Sequence, residues 1–268
     1  MPNYVRNIFI EVSDEEKYKK FVLNDKGKID FNILIPMPVS LSIGYSGLYK
    51  PEFDAKFFKF ALNSHTFDDY RDLIHDCMKI NIPTFKKYED FLNIKDIDAR
   101  VLIEKVYTVW NKVKLGYPSW YEWRKDKWGT KWNACEDNLP YPSIAQEYIF
   151  KTAWSTPSSW LSKLAEELDF VLLYADEDIG CNCGIIEARN GILVFHDDTD
   201  YRDPSTVFAL AVNGNEIYNE NLDSPEEVEE SKYLYDNKNQ LLFEFFMHNN
   251  CVDIYNRNES KLNELFID

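Results

Sequence analysis

Glycine is scarce in this chain, at 9 of 268 residues, and nowhere does it cluster. That absence excludes the glycine-rich phosphate loops of mononucleotide and dinucleotide sites. Ser155 likewise lacks the flanking glycines of a nucleophile elbow. No stretch approaches the ~20 consecutive apolar residues that span a bilayer. Positive charge is also in deficit, with 30 Lys and Arg against 46 Asp and Glu and a net charge of −16. Such a field repels nucleic-acid phosphate, so ordinary backbone binding to nucleic acid is not expected. The richest basic stretch, Arg124, Lys125, Lys127 and Lys131, offers four cations, too few to reverse that field. The five cysteines, Cys77, Cys135, Cys181, Cys183 and Cys251, are odd in number and spaced like no disulfide framework. The opening Met-Pro-Asn-Tyr has neither the basic nor the apolar region of a secretory signal. The expectation is a cytoplasmic protein of a bacterial host cell, with reduced thiols and no membrane partner.

Aromatic residues are plentiful instead, at 16% within a 45% hydrophobic chain, which is ample for a packed core. Trp120, Trp123, Trp128, Trp132, Trp154 and Trp160 crowd one region, with Trp110 close by. Tryptophan is bulky and carries one donor that needs a partner when buried, so the cluster marks either a closely specified core or a recognition surface. The acidity has two readings as well: an ordinary solvated surface, or carboxylates spaced to mimic nucleic-acid phosphates.

Val5 to Val12 is β-branched and apolar, as a strand requires. Ser13 and Glu16 fit a capping box for a helix whose apolar face is Tyr18, Phe21 and Val22. Ile29 to Ile35 reads as a second strand stopped by Pro36 and Pro38, which predicts a β-α-β opening. From Pro51 to Tyr117 the apolar residues recur every three or four positions, the period of helices, and the Phe stripe there reads as core. Pro118 is placed to start a further short helix carrying Trp120, Trp123 and Trp128, with Gly129 to stop it. Tyr148 to Trp154 is strand-like. Thr156 and Pro157 then suit the start of a helix with Trp160, Leu161, Leu164 and Leu168 on one face. Phe170–Ala175, Cys183–Glu187 and Ile192–His196 read as strands, the last two joined by the turn Arg189-Asn190-Gly191. Val207–Val212 and Glu216–Tyr218 extend the β content, and Leu241–His248 suits helix or strand.

Several of these residues carry a resemblance. Trp128-Gly129-Thr130-Lys131-Trp132-Asn133, then Phe150-Lys151-Thr152-Ala153-Trp154-Ser155 and a proline, resemble the YubB-like family of phage- and plasmid-borne proteins. The early segment Ile29-Asp30-Phe31-Asn32-Ile33-Leu34-Ile35-Pro36-Met37-Pro38 is similar to the same family's strand ending in Pro-Met-Pro. The resemblance covers roughly residues 1–40 and 117–190. It implies a ferredoxin-like domain and an accessory protein of a mobile element, with no assigned reaction or cofactor to carry over.

The expected fold is therefore α+β: ferredoxin-like βαβ units with an antiparallel sheet, a helical insertion and a β-rich C-terminal extension. Residues 1–48 and 117–196 supply the core, 49–116 the insertion and 197–268 the extension. Trp128, Thr130, Lys131, Trp132, Asn133 and Trp154 form the candidate binding group, apolar walls with a few orienting polar groups; the same residues would serve equally as a core knot. His196, Asp197, Asp198 and Asp200, with Asp203 nearby, concentrate hard ligands after a strand, where a divalent metal could bind and activate water; a solvated acidic loop is the plainer reading. Asp176-Glu177-Asp178 is a similar turn. Cys181-Asn182-Cys183 has the spacing for a soft metal but no second ligand pair. His65 and His75 lie ten residues apart on the helical segment, with no nucleophile beside them. No cofactor is expected apart from such a metal. The leading functional expectation is a noncatalytic accessory protein that binds a host protein or small ligand and counters a host defence. The alternatives are a metal-dependent hydrolase or nuclease using the His196–Asp203 loop, and a nucleotide-binding sponge with a tryptophan-lined pocket.

Overall fold

The computed structural model describes residues 3–44, 55–137, 144–197, 199, 202–214 and 224–265. In chain order the elements are β1 (Tyr4–Val12), α1 (Glu15–Val22), α2 (Phe31–Leu34), α3 (Val39–Ile43), α4 (Ala55–Asn63), α5 (Phe67–Met78), α6 (Tyr88–Leu92), α7 (Ile97–Leu115) and α8 (Trp120–Lys127). They continue with β2 (Cys135–Glu136), β3 (Ile149–Ala153), α9 (Ser158–Ala165), β4 (Phe170–Asp176), β5 (Cys183–Arg189) and β6 (Ile192–His196). The helices α10 (Arg202–Asn213), α11 (Pro225–Asp236), α12 (Lys238–His248) and α13 (Val252–Asn263) follow. Two compact units share them: Met1–Ile35 with Trp128–Asp268, and Pro36–Lys127.

In the first unit the described strands form one sheet in the order β2-β3-β1-β4-β5-β6, every neighbouring pair antiparallel. Taken along the chain, β1, α1, β2, β3, α9 and β4 spell β-α-β-β-α-β. Their order across the sheet, first strand between third and fourth and second strand outermost, is the ferredoxin-like arrangement. The hairpin β5–β6 widens the sheet beyond β4. Asn190 (φ 50°) and Gly191 (φ 80°) make its two-residue turn, both left-handed as a type I′ turn demands. β1 and β4 are central strands covered on both faces, so β4 reads as a continuous apolar run and β1 buries even Arg6 and Asn7.

One face of the sheet carries Phe9, Phe150 and Phe170, packed against Tyr18 of α1, with Phe31 of α2 meeting Phe150 and Trp160 of α9. The other face carries Ile8, Ile10, Val171, Leu173, Cys183 and Ile185, which join Val207 and Phe208 of α10, Phe245 and Phe246 of α12 and Ile254 of α13 in one core. Phe208 and Phe245 stack at 4.1 Å between centroids.

Several expectations are corrected. Residues 29–35 are not a strand. Ile29 makes one isolated bridge with Leu23, and then Asp30 caps a helical turn, its side chain accepting from the Asn32 amide at 2.9 Å. The second strand of the ferredoxin-like core is the two-residue β2, reached only after the helices of the second unit. The N-cap of α1 is Asp14, which accepts from the Lys17 amide at 3.0 Å; Ser13 Oγ instead accepts from the Asp169 amide across the sheet. The helix after β3 starts one residue later than expected, with Pro157 at its cap, and Thr156 donates to Asn7 Oδ1 at 2.6 Å. α8 begins at Trp120, not Pro118, and Trp128 lies beyond its end. The β-rich C-terminal extension is overturned: Val207–Val212 lies in α10, and Leu241–His248, open between helix and strand in the sequence, belongs to α12. A six-residue apolar run has no period of its own, and along α10 the less buried positions Asp203, Thr206 and Leu210 recur every three or four residues as on a helix. Glu216–Tyr218 lies outside the described residues.

The second unit, α3 to α8, has its own core of Phe57, Tyr70, Ile74, Phe91, Ile103, Val106 and Val109. Thr66 and Asp69 form a reciprocal capping box at the start of α5, and Gly116, left-handed at φ 83°, ends α7. Charge divides unequally by sequence. Pro36–Lys127 holds 15 Lys and Arg against 13 Asp and Glu, a net of +2, whereas the remainder holds 15 against 33, a net of −18. Among the described residues no helix is long and apolar enough to cross a membrane.

Candidate binding surface

The two tryptophan motifs are halves of one interlocked turn. Residues 128–133 lead into β2, and residues 154–157 link β3 to α9. Thr130 Oγ1 donates to the Ala153 carbonyl at 2.9 Å, Ser155 Oγ to the Gly129 carbonyl at 2.7 Å, and the Trp160 amide to the Trp128 carbonyl at 3.3 Å. Gly129 is required twice over. Its φ is +82°, and a Cβ there would sit 2.8 Å from the Ser158 amide nitrogen.

This bracket divides the six candidate residues. Trp128 is fully buried, its ring edge-on to Phe31 and its Nε1 donating to the Ile35 carbonyl at 3.0 Å. Thr130 is buried with it. Asn133 braces α2: Oδ1 accepts from the Phe31 amide at 2.9 Å, and Nδ2 donates to Asp30 at 2.8 Å. Burial pushes the Asp30 carboxyl up, but hydrogen bonds from Asn133, Asn32 and Asn24 outweigh it and hold the group below its ordinary value. These three residues are core and scaffold.

Lys131, Trp132 and Trp154 come together at the surface. The Lys131 ammonium lies 4.4 Å from the Trp154 ring centroid and 5.2 Å from that of Trp132, and the Trp132 ring is 6.3 Å from Tyr4. Trp154 is 48% exposed at φ +70°. A non-glycine residue in that conformation costs on the order of 1 kcal/mol or more, so the surrounding bracket must impose it. Sequence reasoning missed Tyr4, which enters because β1 pairs with β3 and sets Tyr4 opposite Ala153.

The metal candidates are placed differently. His196 ends β6, with Nδ1 3.0 Å from the Asn249 carbonyl and Nε2 3.9 Å from Glu187, on the face covered by the C-terminal helices. Asp197 turns to the opposite face, where it hydrogen-bonds Tyr174. Asp198 and Asp200 lie outside the described residues. Among the described residues no three His, Cys, Asp or Glu side chains are grouped to hold a metal. In the Cys-x-Cys segment Cys181 is exposed while Cys183 is buried, and burial pushes the Cys183 thiol to about 12.

Two charged networks went unseen in the sequence because their members are far apart in it. Arg6 and Asp137, each 2% exposed, form an ion pair that Lys151 joins at 3.6 Å, and Arg6 also donates to the Val212 carbonyl at the end of α10. Glu11 and Glu187 share Arg189 and Arg257, tying β1, β5 and α13 together. Both networks connect elements of the fold.

Residues 127–236 match the family model described as the ferredoxin-like domain in Api92-like protein. The matched segment contributes β2 to β6, while β1, the strand inserted between β3 and β4, comes from outside it. No curated protein and no solved structure matches the chain.

Proposed function

We propose that this chain is a noncatalytic accessory protein of a phage or plasmid, of the YubB-like kind, that binds a host protein and thereby counters a host defence. Its recognition surface is the group Lys131, Trp132 and Trp154. The observation that supports this reading is the exposure of Trp154. An indole held half in water in a left-handed backbone conformation serves contact with something else better than it serves the core. The test is affinity purification of the wild-type chain and of the Trp132→Ala/Trp154→Ala double variant from a bacterial host, with native mass spectrometry of the eluates. A stoichiometric host protein held by the wild type and lost by the folded variant is the expected result. Equal capture by both, or reproducible turnover of any substrate by the purified chain, would overturn it.

A further inference from the structure

We infer that the end of the sheet where Tyr4, Trp132 and Trp154 meet takes a cationic side chain, an arginine guanidinium or lysine ammonium, from a protein partner. The inference rests on the recognition surface proposed above and names its chemistry.

Three observations converge on a cation. The first is the Lys131 ammonium, which sits within cation–π range of both indoles, so these rings already meet positive charge. The second is the neighbouring carboxylates. The Tyr4 carbonyl accepts from the Glu177 amide at 3.1 Å, and the Asn3 carbonyl accepts from the Trp154 amide at 2.9 Å. Asn3 Nδ2 also donates to Asp178 at 2.9 Å. Two short backbone links thus put the exposed turn Glu177–Asp178 and the aromatic group at the same end of the sheet. Aromatic rings and carboxylates gathered at one end of a sheet suit a guanidinium, which stacks with its plane and donates with its edge. The third is the net charge of −18 on this unit, which draws positively charged surfaces toward it.

Lys131 acts here as the resident cation. It lies against both indoles until a partner's side chain takes its place, so its removal opens the site. Titration of the full chain with argininamide and with choline, following the indole N–H resonances of Trp132 and Trp154, tests this directly. 3,3-Dimethylbutan-1-ol, the neutral isostere of choline, is the control. Saturable shifts with both cations and none with the alcohol are expected. Lys131→Ala should bind the cations roughly three- to tenfold more tightly, and Glu177→Gln with Asp178→Asn roughly threefold more weakly. Glu177 and Asp178 are exposed and Lys131 is partly so, and thermal unfolding followed by circular dichroism checks that each variant is folded. Equal binding of the neutral alcohol, or indole resonances unmoved by either cation in Lys131→Ala, would overturn the inference. The recognition surface is judged separately, by partner capture with the double tryptophan variant, which does not depend on the charge of the contact.

Discussion

Asp30 shows how much a single carboxylate can fix. Its Oδ1 accepts from the Asn32 amide, the Asn32 side chain and Asn133 Nδ2, so one oxygen starts α2 and ties it to the loop before β2. With its folded pKa held down, Asp30 contributes stability that is present above the ordinary carboxylate value of about 3.9 and is lost as pH falls through the folded value. Asn133→Ala removes one of the bonds that stabilise the anion, so its stability should change less than the wild type's as pH falls below about 4. Urea unfolding at pH 7, 4 and 3 measures this; the same pH dependence in both proteins would contradict the assignment. Asn133 also marks where single-sequence reading runs out. Its place beside Trp132 and Lys131 suggested a ligand contact, but its partner is 103 residues away, and that distance is erased only by folding. Lys131, Trp132 and Trp154 were legible because they carry their chemistry in their side chains. Tyr4 was not, because its role comes from strand register.

Among the elements, the bracket of residues 128–133 and 154–157 is the most closely specified. Gly129→Ala should destabilise the protein by about 2–4 kcal/mol, the left-handed backbone and the contact with Ser158 adding together. Gly191→Ala, at φ +80° where an added Cβ would make only an ordinary contact 3.9 Å from the Ala165 carbonyl oxygen, should cost about 1–2 kcal/mol from backbone strain. Chemical denaturation of the two variants side by side would separate these terms; equal losses would mean the Ser158 contact relaxes freely. Most strands and helices were readable from period and turn chemistry: β1, β3, β4, the β5–β6 hairpin and the helices of 55–115. The failures have local causes. Ile29–Ile35 alternates as a strand does, but Asp30 within it caps a helical turn, and Val207–Val212 is a short apolar run without a period whose outcome was decided by helix packing on the sheet. β2, two residues long, is too short for any pattern to show.

At the scale of the whole molecule, the second unit enters and leaves the first at one point. The Trp128 indole bonds the Ile35 carbonyl, so the chain ends flanking Pro36–Lys127 are adjacent. Replacing those residues with a short Gly/Ser linker should leave the sheet, its two helical layers and both charged networks intact. A cooperative thermal transition and retained near-ultraviolet tryptophan signal would bear this out; a molten or aggregated product would show that the ferredoxin-like unit depends on its insertion. The remaining chain would carry net −18, so its midpoint should rise with added salt as self-repulsion is screened.

The placement of β1 also has a temporal side. Val12 pairs with Phe170, and Tyr4 with Ala153, so the first strand to leave the ribosome is the one whose partners leave much later. At roughly 5–20 residues per second, that interval is on the order of ten seconds or more. The helices of residues 55–127 have complete local contacts and can condense meanwhile, while Val5 to Ile10 wait as an unsatisfied apolar ribbon. A chain so ordered should lean on whatever shields nascent hydrophobic segments, and its yield should follow the supply of such factors more closely than its final stability does.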